Sequence, residues 1–292
     1  MKKLISIASI LVCVLLGLVR TSCDVSPQEI EPKASKIEDL NSPDFNVCMA
    51  LGAASMSTCE EKLPKARHGY FISHHTAYEA LRRKKIDAYV FDSHTLDYMA
   101  AISSDFAVLP GSLGSVEIAI GVSPARRELL EPINAFIDHY HESGLYTEMY
   151  NRWIKMHGAE QADMELSQKM PQIEAPAAPK RKLVVGICSQ LEPMCYRKVS
   201  ETGSELIGFD MELLRRLALH LNVRYELRDL DYATMMQMLA KGELDIVVAG
   251  LNRTAEREAS ILFSKNYINA RIVALVRTTT KSDKPEYVVP QQ

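Results

Sequence analysis

The chain has 292 residues, 47% of them hydrophobic and 24% charged, with a formal net charge of −3. This balance suits one large globular domain or two ordinary ones. It offers no basic footprint, so nucleic acid is excluded as an expected partner.

Lys2 and Lys3 precede an apolar run from Leu4 to Val19, which Arg20-Thr21-Ser22-Cys23 closes. Residues 1–22 therefore read as an export signal. The run is shorter than the roughly 20 residues a spanning helix needs. Cys23 stands where a bacterial lipoprotein would be cleaved and acylated, although Arg20 occupies the usual leucine position. Lipid anchoring and a plain or uncleaved signal both remain open. Residues 23–36 are polar and contain proline, as a tether does.

A first structured block spans residues 37–156. Short apolar runs predict strands over Phe45–Leu51, Asp87–Phe91, Phe106–Leu109 and Val116–Val122. Helical spacing predicts helices over Thr76–Lys85, Ser93–Ile102, Arg126–Glu142 and Leu145–Met156. A proline- and alanine-rich linker, residues 157–181, follows.

The second block spans residues 182–280. Strands are expected over Lys182–Cys188, Val223–Leu227, Asp245–Ala249 and Ile268–Val276, with helices over Phe209–Leu221 and Tyr232–Lys241. Gly242 stops the second helix. Residues 281–292 read as a loose polar tail. Alternation of this kind predicts two α/β lobes with mainly parallel sheets, whose ligands sit at the carboxyl ends of the strands.

Beyond Cys13 and Cys23 the chain holds Cys48, Cys59, Cys188 and Cys195. Export would permit disulfides, and Cys48–Cys59 and Cys188–Cys195 are the economical pairs. The other reading keeps each as a small buried thiol. No CxxC occurs. His74-His75 and His139/His141 lack metal spacing and read as surface positions. No GxSxG, Walker loop or GxGxxG appears, so no metal, cofactor or catalytic residue is expected.

Several segments carry a resemblance. Val185-Gly186-Ile187 leads to Glu192-Pro193-Met194. Gly208-Phe209-Asp210-Met211-Glu212-Leu213 opens a helix, and Ala249-Gly250-Leu251-Asn252-Arg253-Thr254-Ala255-Glu256-Arg257 follows Gly242-Glu243-Leu244-Asp245. In this order they resemble the first lobe of periplasmic solute-binding proteins for polar amino acids, the family 3 substrate-binding proteins of ABC transporters. The first block resembles the second lobe of the same family, through Leu40–Gly52, Leu81–Asp92 and the closing helices with Ile133-Asn134, Gly144-Leu145-Tyr146 and Trp153. The resemblance implies a type II periplasmic-binding-protein-like fold with its lobes in permuted order. A domain-swapped dimer and a truncated tandem protein are the rival accounts.

The family pattern implies Arg257 as carboxylate ligand and Asp92 as ammonium ligand, one from each lobe. A planar guanidinium suits a carboxylate because it can bind both oxygens. The plainer readings are a surface arginine paired with Glu256 or Glu258, and an aspartate capping the helix at Ser93. Gly250, Asn252, Gly52 and Ala53 would supply backbone and amide groups. Asn252 and Gly52-Ala53-Ala54 depart from the family's hydroxyl-bearing residues. Glu192 and Tyr196 lie on the first ligand loop, and Phe209 is either core or pocket wall.

The implied function is capture of an amino acid or similar small polar solute, at the periplasmic or outer face of a membrane, for ABC permease subunits. An enzyme of the cyclohexadienyl dehydratase kind and a sensor without a transporter are the alternatives. For the enzyme, Glu192, His75 and His94 are candidate acids, without a clear pair.

Overall fold

The computed structural model describes residues 34–155, 168–200, 203–278 and 286–287. The expected signal, Cys23 and most of the tether and tail lie outside the described residues. No helix among the described residues is long and apolar enough to cross a membrane.

The first block opens with a 3-10 turn, Ile37–Leu40, and continues as β1 (Asn46–Ala50), α1 (Ser55–Lys62), β2 (Arg67–Phe71), α2 (His74–Arg82), β3 (Ala88–Asp92) and α3 (Ser93–Ile102). β4 (Phe106–Val108), β5 (Gly114–Val122), α4 (Leu130–Glu142) and α5 (Leu145–Trp153) complete it. The second block contains β6 (Arg181–Ile187), β7 (Gln190–Leu191), β8 (Cys195–Ser200), β9 (Gly203–Ile207), α6 (Phe209–Leu221) and β10 (Val223–Asp229). It ends with α7 (Tyr232–Lys241), β11 (Ile246–Val247), α8 (Ala255–Glu258) and β12 (Leu262–Arg277).

Local chemistry sets several boundaries. The Ser73 hydroxyl accepts from the Thr76 amide, so α2 starts two residues before the apolar spacing does. Asp231 caps α7 in the same way, and Gly242, at φ +80°, ends it in the left-handed conformation a glycine adopts freely. The helix expected from Arg126 breaks in two. Pro124 starts a 3-10 turn to Leu129, Arg126 is non-helical, and α4 begins only at Leu130. Sequence spacing did not reveal α1 and β2. Ser55–Lys62 is mostly polar, and Arg67–Phe71 is a half-exposed edge strand.

The sheet differs from the two separate sheets expected. Its strands form one mixed nine-stranded sheet, in the order β10-β6-β11-β5-β12-β3-β1-β2, with β4 alongside β12. The pairs at the two ends are parallel, as expected. The antiparallel β5 and β12 join them. β5 pairs with β11 through Gly121 and Val122 and with the far part of β12 through Gly114 to Ile118. β12, much longer than expected, pairs with β5 along its length and with β3 and β4 at its end. Register shifts around Asn266 bend it on the way. The chain therefore crosses between the two blocks on two adjacent strands.

Alternation along β1 and β3 divides the core. Cys48, Ala50, Tyr89 and Phe91 face the larger core, which runs continuously into the second block. Val47, Met49, Ala88 and Val90 face a smaller core under α1. This overturns the expected disulfides, since all four described cysteines are free and buried. Cys48 faces the larger core, whereas Cys59 on α1 lies in the smaller one, on the opposite face of the sheet. Cys188 and Cys195 share the larger core as separate thiols. Burial pushes the Cys188 thiol up to about 12. His74 and His75 are also not surface residues. They are 1% and 8% exposed on the inner side of α2. Within the expected loose tail, Tyr287 packs against Tyr78 and Phe106, and its amide donates to Asp105.

The described part of the linker opens with an anchor. Gln168 is buried, accepts from the Tyr98 and Tyr196 hydroxyls, and donates to the Trp153 carbonyl. The closing helices of the first block dock on α6 of the second. There the fully buried Glu212 carboxylate accepts from Arg152, Arg216 and the Trp153 indole at 2.7–2.9 Å. Two partly exposed arginines share this buried anion, and both also reach Glu148. Glu212→Ala, which takes the buried acceptor from both arginines and from the Trp153 indole, should therefore cost about 1–3 kcal/mol. Urea unfolding followed through Trp153, the sole tryptophan, measures it, and a loss below about 1 kcal/mol would contradict the network's role.

Candidate ligand site between the two blocks

The site lies where strand ends from both blocks meet. β1 delivers Leu51-Gly52-Ala53-Ala54 to the start of α1. Gly52 sits at φ +79°, and a Cβ there would meet the Ala233 backbone nitrogen at 2.9 Å. Only glycine lets this loop approach α7 so closely. β3 ends at Asp92, which occupies the N-cap position of α3 yet makes no cap hydrogen bond. Its carboxylate instead accepts from the Asn252 amide at 2.9 Å, across the block boundary.

Arg257 rises from the four-residue α8, whose Thr254 hydroxyl accepts the Arg257 amide. Its guanidinium is turned inward. One terminal nitrogen donates to the Asn252 carbonyl at 2.6 Å and the other to the Gly52 carbonyl at 2.7 Å. The expected surface pairing is absent, because Glu258 binds Arg253 instead. Arg257 is 8% exposed, and no described carboxylate forms an ion pair with it. A buried cation held only by neutral carbonyls lacks the counter-charge that burial normally demands. Burial lowers its pKa, while Tyr232, Asp92 and Glu256 act in the opposite direction.

Asp92 is equally constrained. It is 4% exposed, and its second oxygen has no partner among the described residues. Burial raises its carboxyl to about 7, although the Asn252 hydrogen bond and the Arg257 charge pull it down. Asn252 thus stands between the two charges, with its carbonyl on the cation and its amide on the anion. A cavity of about 430 Å³ opens beside Gly52 and Arg257, whereas Asp92 and Asn252 are not among its lining residues. Gly52, Ala53 and Met56 line it from the first block, and Ala233, Met236 and Arg257 from the second. Its size suits a small polar solute.

The other expected site residues lie apart from this centre. The Gly250 amide is engaged by the buried Asp210, so it is not free for a solute. Phe209 is fully buried and stacks on Tyr267, which makes it core. Tyr196 reaches the linker's Gln168. Glu192 faces His75 at 3.3 Å. Sequence reasoning missed the aromatic wall next to Asp92, where His74 meets Phe91 and Tyr232 edge-on. Apolar residues in core-like positions gave no signal that they border a site.

The α/β fold thus joins two blocks through paired crossing strands and sets a buried guanidinium without a described carboxylate partner beside a cavity between them. Residues 183–288 match the bacterial extracellular solute-binding proteins, family 3, so the resemblance expected from the sequence holds for the second block. The arginine-binding extracellular protein ArtP of Bacillus subtilis is 31% identical over 91 residues, covering 31% of this chain and 34% of ArtP. The glutamine-binding protein GlnH of an ABC transporter in the same organism is 28% identical over 130 residues, covering 44% of this chain and 48% of GlnH. The chain thus spans about a third to a half of the relatives it matches. Among solved structures, an ancestral arginine-binding protein bound to glutamine is 32% identical, covering 27% of this chain and 34% of that one, with a TM-score of 0.25.

The two raised carboxyls, Asp92 and Asp210, both near 7, make stability depend on pH. A carboxyl that holds its proton more tightly when folded stabilises the fold fully below its unfolded value of about 4. That contribution fades as pH rises through about 7. The melting temperature of the solute-free protein should therefore fall between pH 5 and pH 8. Asp92→Asn, which keeps the bond from Asn252, should flatten part of the fall, and an unchanged slope would contradict the assignment to Asp92.

Proposed function

We propose that the chain captures an amino acid, or a solute of similar size with both charges, between its two blocks and hands it to ABC permease subunits. The single observation behind this reading is the buried Arg257 guanidinium without a carboxylate partner. A solute carboxylate would displace the Gly52 carbonyl and supply the missing negative charge. Its ammonium would take the unpartnered oxygen of Asp92. Asn252 holds both side chains in place for that exchange.

The two charges come from different blocks, so a bound solute ties the blocks together and excludes water from both contacts. This is binding, not bond-breaking, and no residue is assigned a catalytic role. An extracellular family match over the second block supports a place at the periplasmic or outer face of a membrane. Anchoring through Cys23 belongs to the same reading. We further infer that the chain is a circular permutant, with the second-lobe-like block encoded first. The pairing of β12 with β3 and β4 and the seating of Tyr287 on the first block support it.

Thermal shift against the twenty L-amino acids tests the main reading. A solute at 100 times its Kd should add about 2.7 kcal/mol of stability. Arg257→Lys, which keeps the charge and loses the fork, should weaken that solute about tenfold or more, and Asp92→Ala should do the same. A panel without any stabilising amino acid, or stabilisation untouched in both variants, would refute it.

Sedimentation of the full chain separates the permutant from the alternatives. The mass of one chain is expected. A concentration-dependent mass of two chains would point to lobes exchanged between neighbours.

A further inference from the structure

A second polar contact joins the blocks away from Arg257. The Ser73 hydroxyl donates to the Gln190 side-chain oxygen at 2.6 Å. Two residues along, the His75 Nε2 meets Glu192 Oε1 at 3.3 Å. Each pair takes one residue from the start of α2 and one from the β7 segment, 117 positions apart in sequence. The side chains of His75 and Glu192 are only 10% and 14% exposed. The other oxygen of Glu192 is buried without a partner among the described residues. These residues touch neither the cavity beside Arg257 nor Asp92.

We propose that His75 and Glu192 are positioning residues which clasp the two blocks together, and that a proton on His75 tightens the clasp. The inference rests on the reading that the blocks close around a solute. It gives Glu192 a role in closure instead of direct solute contact.

The chemistry is that of a partly buried imidazole against a carboxylate. With the imidazole neutral, the contact is an ordinary hydrogen bond. With it protonated, the contact becomes a charge-assisted pair, roughly twice as strong and little weakened by solvent. Histidine is the side chain that changes charge between about pH 5 and 8.

The titratable groups that face the pair come from α2, from β6 to β8, from the end of β10 and from the C-terminal segment. On α2, His74 is kept neutral by burial, which lowers it to about 3, and Tyr89 donates to or accepts from its Nδ1. Tyr78, also on α2, and Tyr287 from the C-terminal segment both have hydroxyls raised by burial. Cys188, after β6, is raised to about 12, and Cys195 on β8 lies higher still. Asp229 and Asp231, which act on Cys188, are engaged by Ser189 and Thr234.

The clasp and the solute site respond to pH in opposite senses. Ionised Asp92 favours a solute ammonium as pH rises, whereas the clasp favours the closed arrangement as pH falls. That opposition makes the two separable.

Small-angle X-ray scattering of the full, solute-free chain at pH 5.5 and pH 8 tests the clasp without any ligand. The wild type should be more compact at pH 5.5. His75→Gln and Glu192→Gln should abolish the difference, and Ser73→Ala should loosen the protein equally at both values. A wild type of constant size, or variants that still compact at low pH, overturns the proposal. This arm decides the matter even where no amino acid binds.

Calorimetry then uses the amino acid that most stabilises the wild type in the twenty-member panel. His75→Gln should weaken it roughly tenfold more at pH 5.5 than at pH 8. An equal loss at both values would reduce His75 to a packing role and overturn the proposal.

Discussion

The arrangement depends on a guanidinium that has been taken out of water without being given a carboxylate. Arg257 is held by the Asn252 carbonyl from its own block and the Gly52 carbonyl from the other. Carbonyl dipoles solvate a cation, but they leave its charge uncancelled. Gly52 must therefore come very close, and its positive φ against the Ala233 backbone is what permits that approach. Asp92 must be near but not bonded, so that Asn252 can stand between the two charges.

This centre requires a frame that can place strand ends from distant parts of the chain side by side. β5 and β12 provide it. Because each pairs with strands of both blocks, the ends of β1 and β3 arrive opposite the segment from Gly250 to Arg257. The clasp of Glu212 with Arg152 and Arg216 fixes the closing helices on α6. It uses the same physics as the site with the opposite outcome: here the buried charges are fully paired, so the contact is structural. The contrast between Glu212 and Arg257 separates a paired scaffold charge from one held only by neutral carbonyls.

Much of this could be read from residues alone. The strands and helices of the second block follow from short apolar runs and helical spacing, and Gly242 marked the end of α7. Arg257 and Asp92 were recognisable because a family pattern placed them, and the structure brings both to Asn252. Other features needed coordinates. Spacing could not show that Cys48 and Cys59 face opposite sides of one sheet, since that depends on which face α1 covers. His74 and His75 lacked metal spacing and so passed for surface residues, yet packing of α2 buries both. The union of two expected sheets into one arises from the length of β12, and a strand's reach across a boundary has no signature in its own residues.

The buried amide of Gln168 gives the segment between the blocks two unlike parts. The described part is fastened at Gln168, because Tyr98 belongs to the first block, Tyr196 to the second, and both hydroxyls share one side-chain oxygen. The proline-rich stretch beyond it runs without regular structure until the Lys180 amide meets the Asn222 carbonyl. Evolution is then free to vary the composition of that stretch so long as it spans the two fixed points. The residues around Gln168 carry no such freedom, since one amide oxygen there receives hydrogen bonds from both blocks.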